Sequence, residues 1–456
     1  MSRPAGEDMI QGTGIIRSGT AAKGSGTVSG SSPSGPAGAA LPLPLPLPLP
    51  SLLQPPSPLP LPPASSAISS GSAFKPRKAA YAATVYSHLA AFHLPFMEDL
   101  RAAGYEVHAY ACPDALREEV ERAGFECRDV PFSRNPLSPG NVKALAGMYR
   151  HFKLEQYDLV HVHTPNAGWI TRLAAFAAGA RNIFYTAHGF HFYKGAPLLN
   201  WLLYYPLEWL AARFTDVLIT INGEDYGRAG RFRLRGAAAL LPGVGVEENY
   251  GRSHTEGELA DLRQELLIPD GAFVLLCMAE LNGNKNQGQL LRAVHDLINA
   301  GIPVCCLLAG EGSHEQRYRA LAGRLGIREN VQFLGYRRDG SRLMAAADVV
   351  VLLSQREGLP KVLLESLSAG KPVVASDVRG CRDLVAHGTN GFRVAVGDTR
   401  GTAQALSTLY RDAELRKRMG QAGRSRFAGY RLDAVRQQLA ELYREHVKDR
   451  EGEEMA

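Results

Sequence analysis

Two glutamates in the stretch REGLPKVLLE, Glu357 and Glu365, are separated by seven residues. Glu357 lies in a Gly-Leu-Pro turn, and Glu365 lies within an apolar run that is typical of a helix. Carboxylates accept strong hydrogen bonds, which the vicinal hydroxyls of a sugar can donate. The first N–H groups of a helix favour phosphate. We therefore expect one carboxylate to hold a ribose and the other a sugar, with a diphosphate between them at the helix N-terminus.

The residues between the two glutamates fit a ligand-binding loop that turns into a helix. Gly358 allows the backbone to approach a ligand closely. Leu359 leads into Pro360, which suits the first turn of a helix, and Gly370 is expected to end it. Each glutamate alone also has a plainer interpretation: the first as a charge that complements the helix dipole, the second as a solvated helix residue.

A second loop with chemical potential is AELNGNKNQGQLLRAV, residues 279–294, which follows an apolar strand pattern. Lys285 lies at its tip, where an ammonium group could neutralise a diphosphate leaving group. Asn284 and Asn286 flank the lysine and can donate hydrogen bonds to the same ligand. The alternative for Lys285 is a solvated loop charge.

Histidines follow two strands in the first half of the chain. His188 comes directly after NIFYTA, and YSHLAAFHLPF places His88 and His93 after the first strand. We expect His188 to contact the donor sugar or to stabilise positive charge near its anomeric carbon; the alternative is a capped core histidine. His88 is the better of its pair for donor or acceptor contact, since His93 fits a packing position within a helix. For His191, a role in ligand binding and a purely structural role both remain open.

Strand and helix patterns alternate along residues 79–447, which predicts an α/β fold with parallel sheets covered on both faces. The alternation pauses at residues 240–257 and restarts, so two Rossmann-like domains are expected to face each other across a cleft. We place a domain over 75–243 and another over 244–430, and expect a helix in 431–456 to return to the first. Apolar strand patterns occupy 79–85, 158–164, 182–188, 216–222, 273–281, 303–310, 331–335, 348–354 and 372–377.

The E-x7-E pattern followed by SLSAGKPVVASDVRG resembles the retaining GT-B glycosyltransferases of sequence family four, and the loop AELNGNKN resembles a subset found in capsular and exopolysaccharide synthesis. The resemblance implies that Glu357 meets the donor sugar and that Glu365 meets the ribose. It also implies that the backbone of Gly358, Leu359 and Pro360 meets the sugar and the phosphates of the donor. It implies that Lys285 acts on the diphosphate and that His188 is the cleft histidine. Glu280 stands where most members have arginine, so Asn284, Asn286 or Arg356 would have to supply that stabilisation.

By this resemblance the activity is transfer of a sugar, with retention, from a UDP-sugar to a polyprenyl-diphosphate-linked saccharide. No metal and no other cofactor is expected, because no D-x-D motif lies in a suitable loop. A UDP-sugar 2-epimerase of the same architecture and a catalytically idle nucleotide-sugar-binding protein remain alternatives. An oxidoreductase is disfavoured, because no G-x-G-x-x-G follows the first strand.

Composition limits the partners and the location. The net charge is +6, of which residues 1–78 carry +4 from six basic and two acidic side chains. Nucleic-acid binding is therefore not indicated. Residues 1–74, rich in Pro, Gly and Ser, are expected to be a disordered tail. Six cysteines without metal or disulfide spacing fit a reducing cytosol, and the expected location is cytoplasmic, with peripheral contact to the inner face of the plasma membrane.

The run LLNWLLYYPLEWL, residues 198–210, has two interpretations. Its tryptophans and tyrosines among leucines would suit a membrane interface beside a lipid-linked acceptor. A core helix kinked by Pro206 is the favoured interpretation.

Overall fold

The computed structural model describes residues 76–133, 135 and 138–448. The tail predicted for residues 1–74 lies outside these residues, as do residues 449–456. None of the described helices combines the length and the apolar composition that a bilayer span requires.

The first half of the described chain forms a parallel sheet of seven strands in the order β3-β2-β1-β4-β5-β6-β7. Its strands are β1 Arg77–Val85, β2 Tyr105–Cys112, β3 Glu126–Asp129, β4 Leu159–His163, β5 Ile183–Ala187, β6 Val217–Thr220 and β7 Ala237–Leu240. Its helices are α1 Tyr86–Phe92, α2 Leu94–Ala102, α3 Arg117–Arg122, α4 Gly140–Glu155, α5 Pro165–Ala178, α6 Leu198–Ala211 and α7 Gly223–Ala229.

The second half forms a parallel sheet of six strands, in the order β10-β9-β8-β11-β12-β13, within the described residues. Its strands are β8 Phe273–Met278, β9 Val304–Ala309, β10 Val331–Gly335, β11 Val349–Leu352, β12 Val373–Ser376 and β13 Gly391–Val394. The remaining helices are α8 Glu256–Glu265, α9 Gln287–Asn299, α10 Glu315–Arg324, α11 Gly340–Ala346, α12 Lys361–Ala369, α13 Cys381–Leu384, α14 Thr399–Arg411, α15 Ala413–Phe427 and α16 Leu432–His446.

Helices cover both faces of each sheet, which is why the central strands read as continuous apolar runs. Along β1, Ala80 and Ala82 face the core that contains α4 and α5, whereas Ala79 and Tyr81 face the core that contains α2. All six side chains of β9 are buried. The prediction of two Rossmann-like domains with parallel sheets is confirmed.

Helix α16 lies against the first sheet, although it follows the second in the chain. Val435 and Leu439 belong to the core that contains β1 and α2. The Arg436 guanidinium forms an ion pair with Asp99 on α2. Residues 241–272 separate the strands of the two sheets, and the boundary at 243/244 lies within this stretch; its position stays a prediction.

The helix expected after the first strand is in fact two helices, α1 and α2, which meet at His93. Pro95 explains the break, because it has no N–H to donate to the carbonyl of residue 91 and its ring would clash there. His93 adopts φ −126° and ψ −10° and is buried at the junction. The interpretation of His93 as a helix-interior residue is therefore corrected.

The run 198–210 is helical, but the favoured interpretation of it as a core helix is wrong. Within α6 only Glu208 and Ala211 are fully buried, and the helix continues across Pro206. Leu198, Leu199 and Leu202 are 73%, 71% and 66% exposed.

Candidate active site

The loop that carries the two glutamates begins where β11 ends and leads directly into α12. Pro360 is the N-cap of this helix, in an extended conformation with φ −74° and ψ 117°, and the helix starts at Lys361. Pro360 therefore precedes the first turn and does not lie within it as expected. The helix ends at Gly370, whose φ of +71° is left-handed. The N-terminus of α12 thus opens at the carboxyl edge of the second sheet, where ligands of parallel sheets bind.

Glu365 is not a solvated helix residue, because only 8% of it is exposed. Burial raises the pKa of Glu365 above its usual value, while the Lys361 ammonium acts in the opposite direction. Lys361 Nζ lies 3.5 Å from Glu365 Oε1, one helical turn earlier. A buried carboxylate whose charged partner is a single lysine keeps acceptor capacity for donors such as ribose hydroxyls.

Glu357 and Lys285 form an ion pair across the two loops of the second half. Lys285 Nζ lies 2.6 Å from Glu357 Oε1, and the side chains are 23% and 10% exposed. The Lys285 ammonium group is therefore held by a carboxylate and is not a solvated loop charge. Since an ammonium group has three donors, Lys285 can keep this bond and still donate to a phosphate oxygen.

The side chains of the two asparagines beside Lys285 connect the Lys285 loop to backbone carbonyls of the Glu357 loop. Asn284 Nδ2 donates to the carbonyl of Arg356, and Asn286 Nδ2 donates to the carbonyl of Leu353. Asn286 adopts a left-handed φ of +54° as the N-cap of α9. These contacts give both asparagines a role in positioning Lys285 and Glu357; their assignment to direct donor binding stays a prediction.

Gly358 lies where the two halves of the chain touch. A Cβ at this position would overlap the carbonyl oxygen of His188, which follows β5 in the first sheet. The neighbouring Leu359 side chain packs beside Gly243. Glycine at position 358 is therefore required by the close approach of His188, in addition to any approach by a ligand.

Five histidines gather at the carboxyl end of the first sheet. His163 Nδ1 lies 3.3 Å from His188 Nε2, and the ring of His93 stacks on that of His163 at 3.8 Å. His88 meets His188 edge-on at 4.8 Å. His161, behind them, bonds Thr186 Oγ1 at 2.8 Å and the Tyr443 hydroxyl.

Burial keeps these imidazoles neutral. It lowers the pKa of His93, His163 and His188 well below the ordinary value, with the neighbouring histidines adding to the effect. It lowers the pKa of His88 to about 4 and that of His161 to about 3. At neutral pH the group thus offers hydrogen-bonding atoms without a charge; the Nε2 atoms of His88, His93 and His163 lack a partner among the described residues.

Neutral imidazoles are also metal ligands. One ring nitrogen from each of His88, His93 and His188 lies within 4.8 Å of the others, so this trio could hold a metal ion. A second such group, Glu106, His108 and Glu126, lies on β2 and β3; its two glutamates are exposed and His108 is buried. The expectation that the reaction needs no metal stays a prediction.

The position of the missing family arginine, Glu280, is exposed, and its carbonyl accepts a bond from Gln287. Arg356 lies in the neighbouring loop, where its carbonyl accepts a hydrogen bond from Asn284. Together with burial, which is the larger cause, the Arg356 charge lowers the pKa of His191 to about 4. The Arg356 charge therefore acts on His191 in the first half of the chain, and Arg356 has no carboxylate partner among the described residues.

Sequence reasoning missed Arg379, which follows β12. Its Nη1 donates to Asp225 Oδ1 at 2.6 Å, its Nη2 to the Phe190 carbonyl at 2.6 Å and its Nε to the Glu357 carbonyl at 3.1 Å. One buried guanidinium thus joins the Glu357 loop to the loop of Phe190 and to the first turn of α7. Arg379 and Asp225 both follow parallel strands, which is the signal that could have drawn attention to them.

Two family models match the chain, one in each half. The glycosyl transferase 4-like domain matches residues 89–264, and the glycosyl transferases group 1 model matches residues 260–426. EpsD of Bacillus subtilis (strain 168), a protein assigned to the glycosyltransferases, is 40% identical over 372 residues, which are 80% of this chain and 96% of EpsD. This chain belongs to the group 1 glycosyltransferases.

Solved glycosyltransferase structures share its fold. HepE of Anabaena, solved in complex with UDP-glucose, superposes with a TM-score of 0.67 at 22% identity and covers 81% of this chain and 99% of its own. WaaG, a glycosyltransferase involved in lipopolysaccharide biosynthesis, superposes with a TM-score of 0.62 at 19% identity, over 80% and 99% of the two chains. The expected GT-B architecture is confirmed.

A relative from Escherichia coli carries a more specific name, UDP-Gal:alpha-D-GlcNAc-diphosphoundecaprenol alpha-1,3-galactosyltransferase. It is 28% identical over 296 residues, which are 63% of this chain and 74% of the relative. Together with the family models and EpsD, these likenesses establish the chain as a glycosyltransferase of the GT-B type, as the resemblance of its E-x7-E loop implied.

Proposed function

We propose that this glycosyltransferase moves a sugar from a UDP-sugar to a polyprenyl-diphosphate-linked saccharide in the assembly of exopolysaccharide or capsule. One observation carries the proposal: buried Glu365 and ion-paired Glu357 flank the open N-terminus of α12 at the carboxyl edge of the second sheet. This arrangement supplies acceptors for ribose and sugar hydroxyls on either side of a phosphate site.

In this assignment Glu365 holds the ribose and Glu357 holds the transferring sugar. The diphosphate lies at the N-terminus of α12, with Lys285 and Arg356 opposing its charge as the bond to the sugar breaks. HepE, solved in complex with UDP-glucose, and the Escherichia coli relative, named for a UDP-Gal donor, support a uridine donor. The two E-x7-E carboxylates support the same class of ligand from the chain itself.

His188 lies opposite, with its carbonyl against Gly358. We assign the neutral imidazole a hydrogen bond to the donor sugar, where it stabilises the positive character that develops near the anomeric carbon. Transfer proceeds with retention and without a metal ion. The leaving phosphate guides the acceptor on the front face, and the helix N-terminus and Lys285 take the role of a metal.

The acceptor assignment is supported by the name of the Escherichia coli relative, which acts on a diphosphoundecaprenol-linked sugar. A lipid-linked acceptor requires the enzyme to reach a membrane surface, so we assign it a cytoplasmic location with peripheral contact to the inner face of the plasma membrane.

The test is nucleotide release from a panel of UDP- and GDP-sugars, measured with and without a polyprenyl-diphosphate-linked saccharide. We expect a UDP-sugar to be consumed when the acceptor is present, and NMR of the product to give the donor's anomeric configuration. Release of free sugar that is the same with and without the acceptor would favour the epimerase. Binding of UDP without turnover of any sugar would favour the idle binding protein, and inversion would exclude the retaining mechanism.

A further inference from the structure

Helix α6 presents an uninterrupted apolar surface to solvent. Its exposed side chains recur every three or four residues, so they form one stripe along the helix. Leu198, Leu199 and Leu202 form its first part, at 66–73% exposure, and Tyr205, Trp209 and Leu210 continue it at 36–50%. We call these six residues the α6 stripe. Single exposed leucines are ordinary, whereas a contiguous stripe marks an interaction surface.

A buried ion pair fixes which face of α6 points outward. Arg172 on α5 is fully buried and holds Glu208 of α6 with two hydrogen bonds of 2.7 and 3.0 Å. Arg172 also lies 4.0 Å from the centre of the Tyr185 ring. Because rotating the helix would leave both charges buried and unpaired, the stripe cannot turn inward.

Basic side chains border the α6 stripe. Exposed Arg231 and Arg233 flank Phe232, whose ring lies 5.8 Å from that of Tyr205. Arg213 lies 3.6 Å above the Trp209 ring, and exposed Lys194 lies just before the helix. The one acid in α6 itself is Glu208, which is buried against Arg172. The border therefore carries positive charge beside an apolar face.

The helix adjoins the candidate active site. The Tyr204 ring of α6 stacks on the His191 ring at 4.4 Å, and His191 lies three residues after His188. A partner that binds along the stripe would therefore lie next to the candidate active site.

We propose that the α6 stripe is the membrane-docking surface of this enzyme and that its partner is an anionic phospholipid bilayer. Leucines enter the boundary between headgroups and acyl chains, and Tyr205 and Trp209 lie at the interface, where aromatic side chains are favoured. Arg213, Arg231, Arg233 and Lys194 attract the anionic headgroups. The proposal rests on the proposed function for the biological purpose of the contact, a lipid-linked acceptor.

Charge favours a membrane over a second copy of the chain. A two-fold dimer through the stripe would place the same patch on both sides of the interface. Arg231 and Arg233 of each copy would then approach a rim that carries like charge, with no exposed acid of α6 to pair with them. An anionic surface satisfies the same cations.

The experiment is co-sedimentation of the full chain with vesicles of phosphatidylcholine alone and of equimolar phosphatidylcholine and phosphatidylglycerol. We expect binding to the anionic vesicles that falls with rising salt. L199E/L202E should weaken it about tenfold or more, since two exposed leucines that would enter the bilayer become charged. The matched control is V142E/L154E, which places the same charges on exposed apolar residues of α4, at 70% and 80% exposure; it should bind like wild type.

UDP affinity by calorimetry shows whether each variant is folded, and L199Q/L202Q repeats the test without added charge should the glutamate variant fail to fold. Binding that persists in both α6 variants, or its absence in wild type, would overturn the proposal. So would a wild-type dimer in lipid-free sedimentation that L199E/L202E converts to monomer. Stripe-dependent vesicle binding without transfer of any sugar would instead refute the proposed function and leave the docking surface standing.

Discussion

Arg379 Nη1 and Asp225 Oδ1 lie 2.6 Å apart and join the two halves of the enzyme, although the residues are 154 positions apart in the chain. Asp225 is held in turn by Asn222 Nδ2 and by the N–H of Phe190. Burial raises the pKa of Asp225, and the Arg379 guanidinium opposes that shift. The pair therefore fixes the loop of His188 against the loop of Glu357.

Removing Arg379 should destabilise the protein strongly, because Asp225 would remain buried without its partner. We expect R379M to lower the free energy of unfolding by about 3–5 kcal/mol. R382M is the matched control. Arg382, three residues after Arg379, forms an exposed pair with Asp377, and its loss should cost less than about 1 kcal/mol. Urea unfolding measures both, and equal losses would show that the Arg379 pair is not a structural connection between the halves.

His188→Ala should lower turnover about a hundredfold or more while UDP affinity stays near wild type, because a polar group beside the anomeric carbon matters more in the transition state. Sugar-transfer rates and UDP calorimetry measure the two quantities. His295→Ala, which removes an imidazole from α9, serves as the control with normal turnover. Near-normal transfer by His188→Ala would return this histidine to a structural role.

The buried histidines predict a loss of stability as pH falls. The pKa of His161 is lowered from 6.5 to about 3 in the folded protein, so below pH 6.5 the unfolded chain takes up a proton that the folded chain excludes. This histidine alone should lower the free energy of unfolding by about 1.4 kcal/mol per pH unit in that window. Above pH 6.5 neither state binds the proton and the effect vanishes.

Urea unfolding between pH 7 and pH 5 measures this slope. In His161→Gln, the dependence of the free energy of unfolding on pH should decrease by the contribution of about one proton. Tyr443→Phe is the control, since it removes the hydrogen-bond partner of His161 and keeps the imidazole; it should lower stability with the slope retained. An unchanged slope in His161→Gln would contradict the assignment of a neutral buried His161.

Chelation should leave sugar transfer intact. In the proposed assignment Lys285, Arg356 and the N-terminus of α12 supply the positive charge that opposes the diphosphate, so we expect no metal to be required there. Transfer rates before and after treatment with EDTA test this. Activity that is lost on chelation and returns with Mg²⁺, Mn²⁺ or Zn²⁺ would contradict this prediction. If Zn²⁺ restores it, His88, His93 and His188 are the candidate ligands.

Much of the fold could be predicted because buried parallel strands read as apolar runs. Strand β9, VCCLLA, is such a run, and the rule that ligands bind after parallel strands pointed to the loops of Glu357 and Lys285. Strand β7 escaped notice because its sequence, AAAL, has low β-propensity and is recognisable only from its pairing with β6.

The site was less predictable where it depends on contacts between distant segments. No local pattern reveals that His93, His163 and His188 share one buried cluster, or that Arg379 reaches Asp225. The outward face of α6 was hidden for a similar reason. An apolar run favours a core position, and only the buried pair of Arg172 and Glu208 shows which side of the helix is exposed.

The most direct test of the account is calorimetry with UDP on Glu365→Ala and Glu357→Gln, beside their sugar-transfer rates. Ribose does not react, so losing Glu365 should remove binding common to ground and transition states. A hydrogen bond to a charged acceptor is worth about 1.5–3 kcal/mol, and we expect UDP to bind about ten- to 150-fold more weakly to Glu365→Ala. Glu357→Gln should bind UDP almost normally and transfer sugar slowly, because UDP lacks the sugar that Glu357 holds. UDP affinity near wild type in Glu365→Ala, or an equal loss of UDP affinity in both variants, would contradict the assignment of ribose and sugar to the two glutamates.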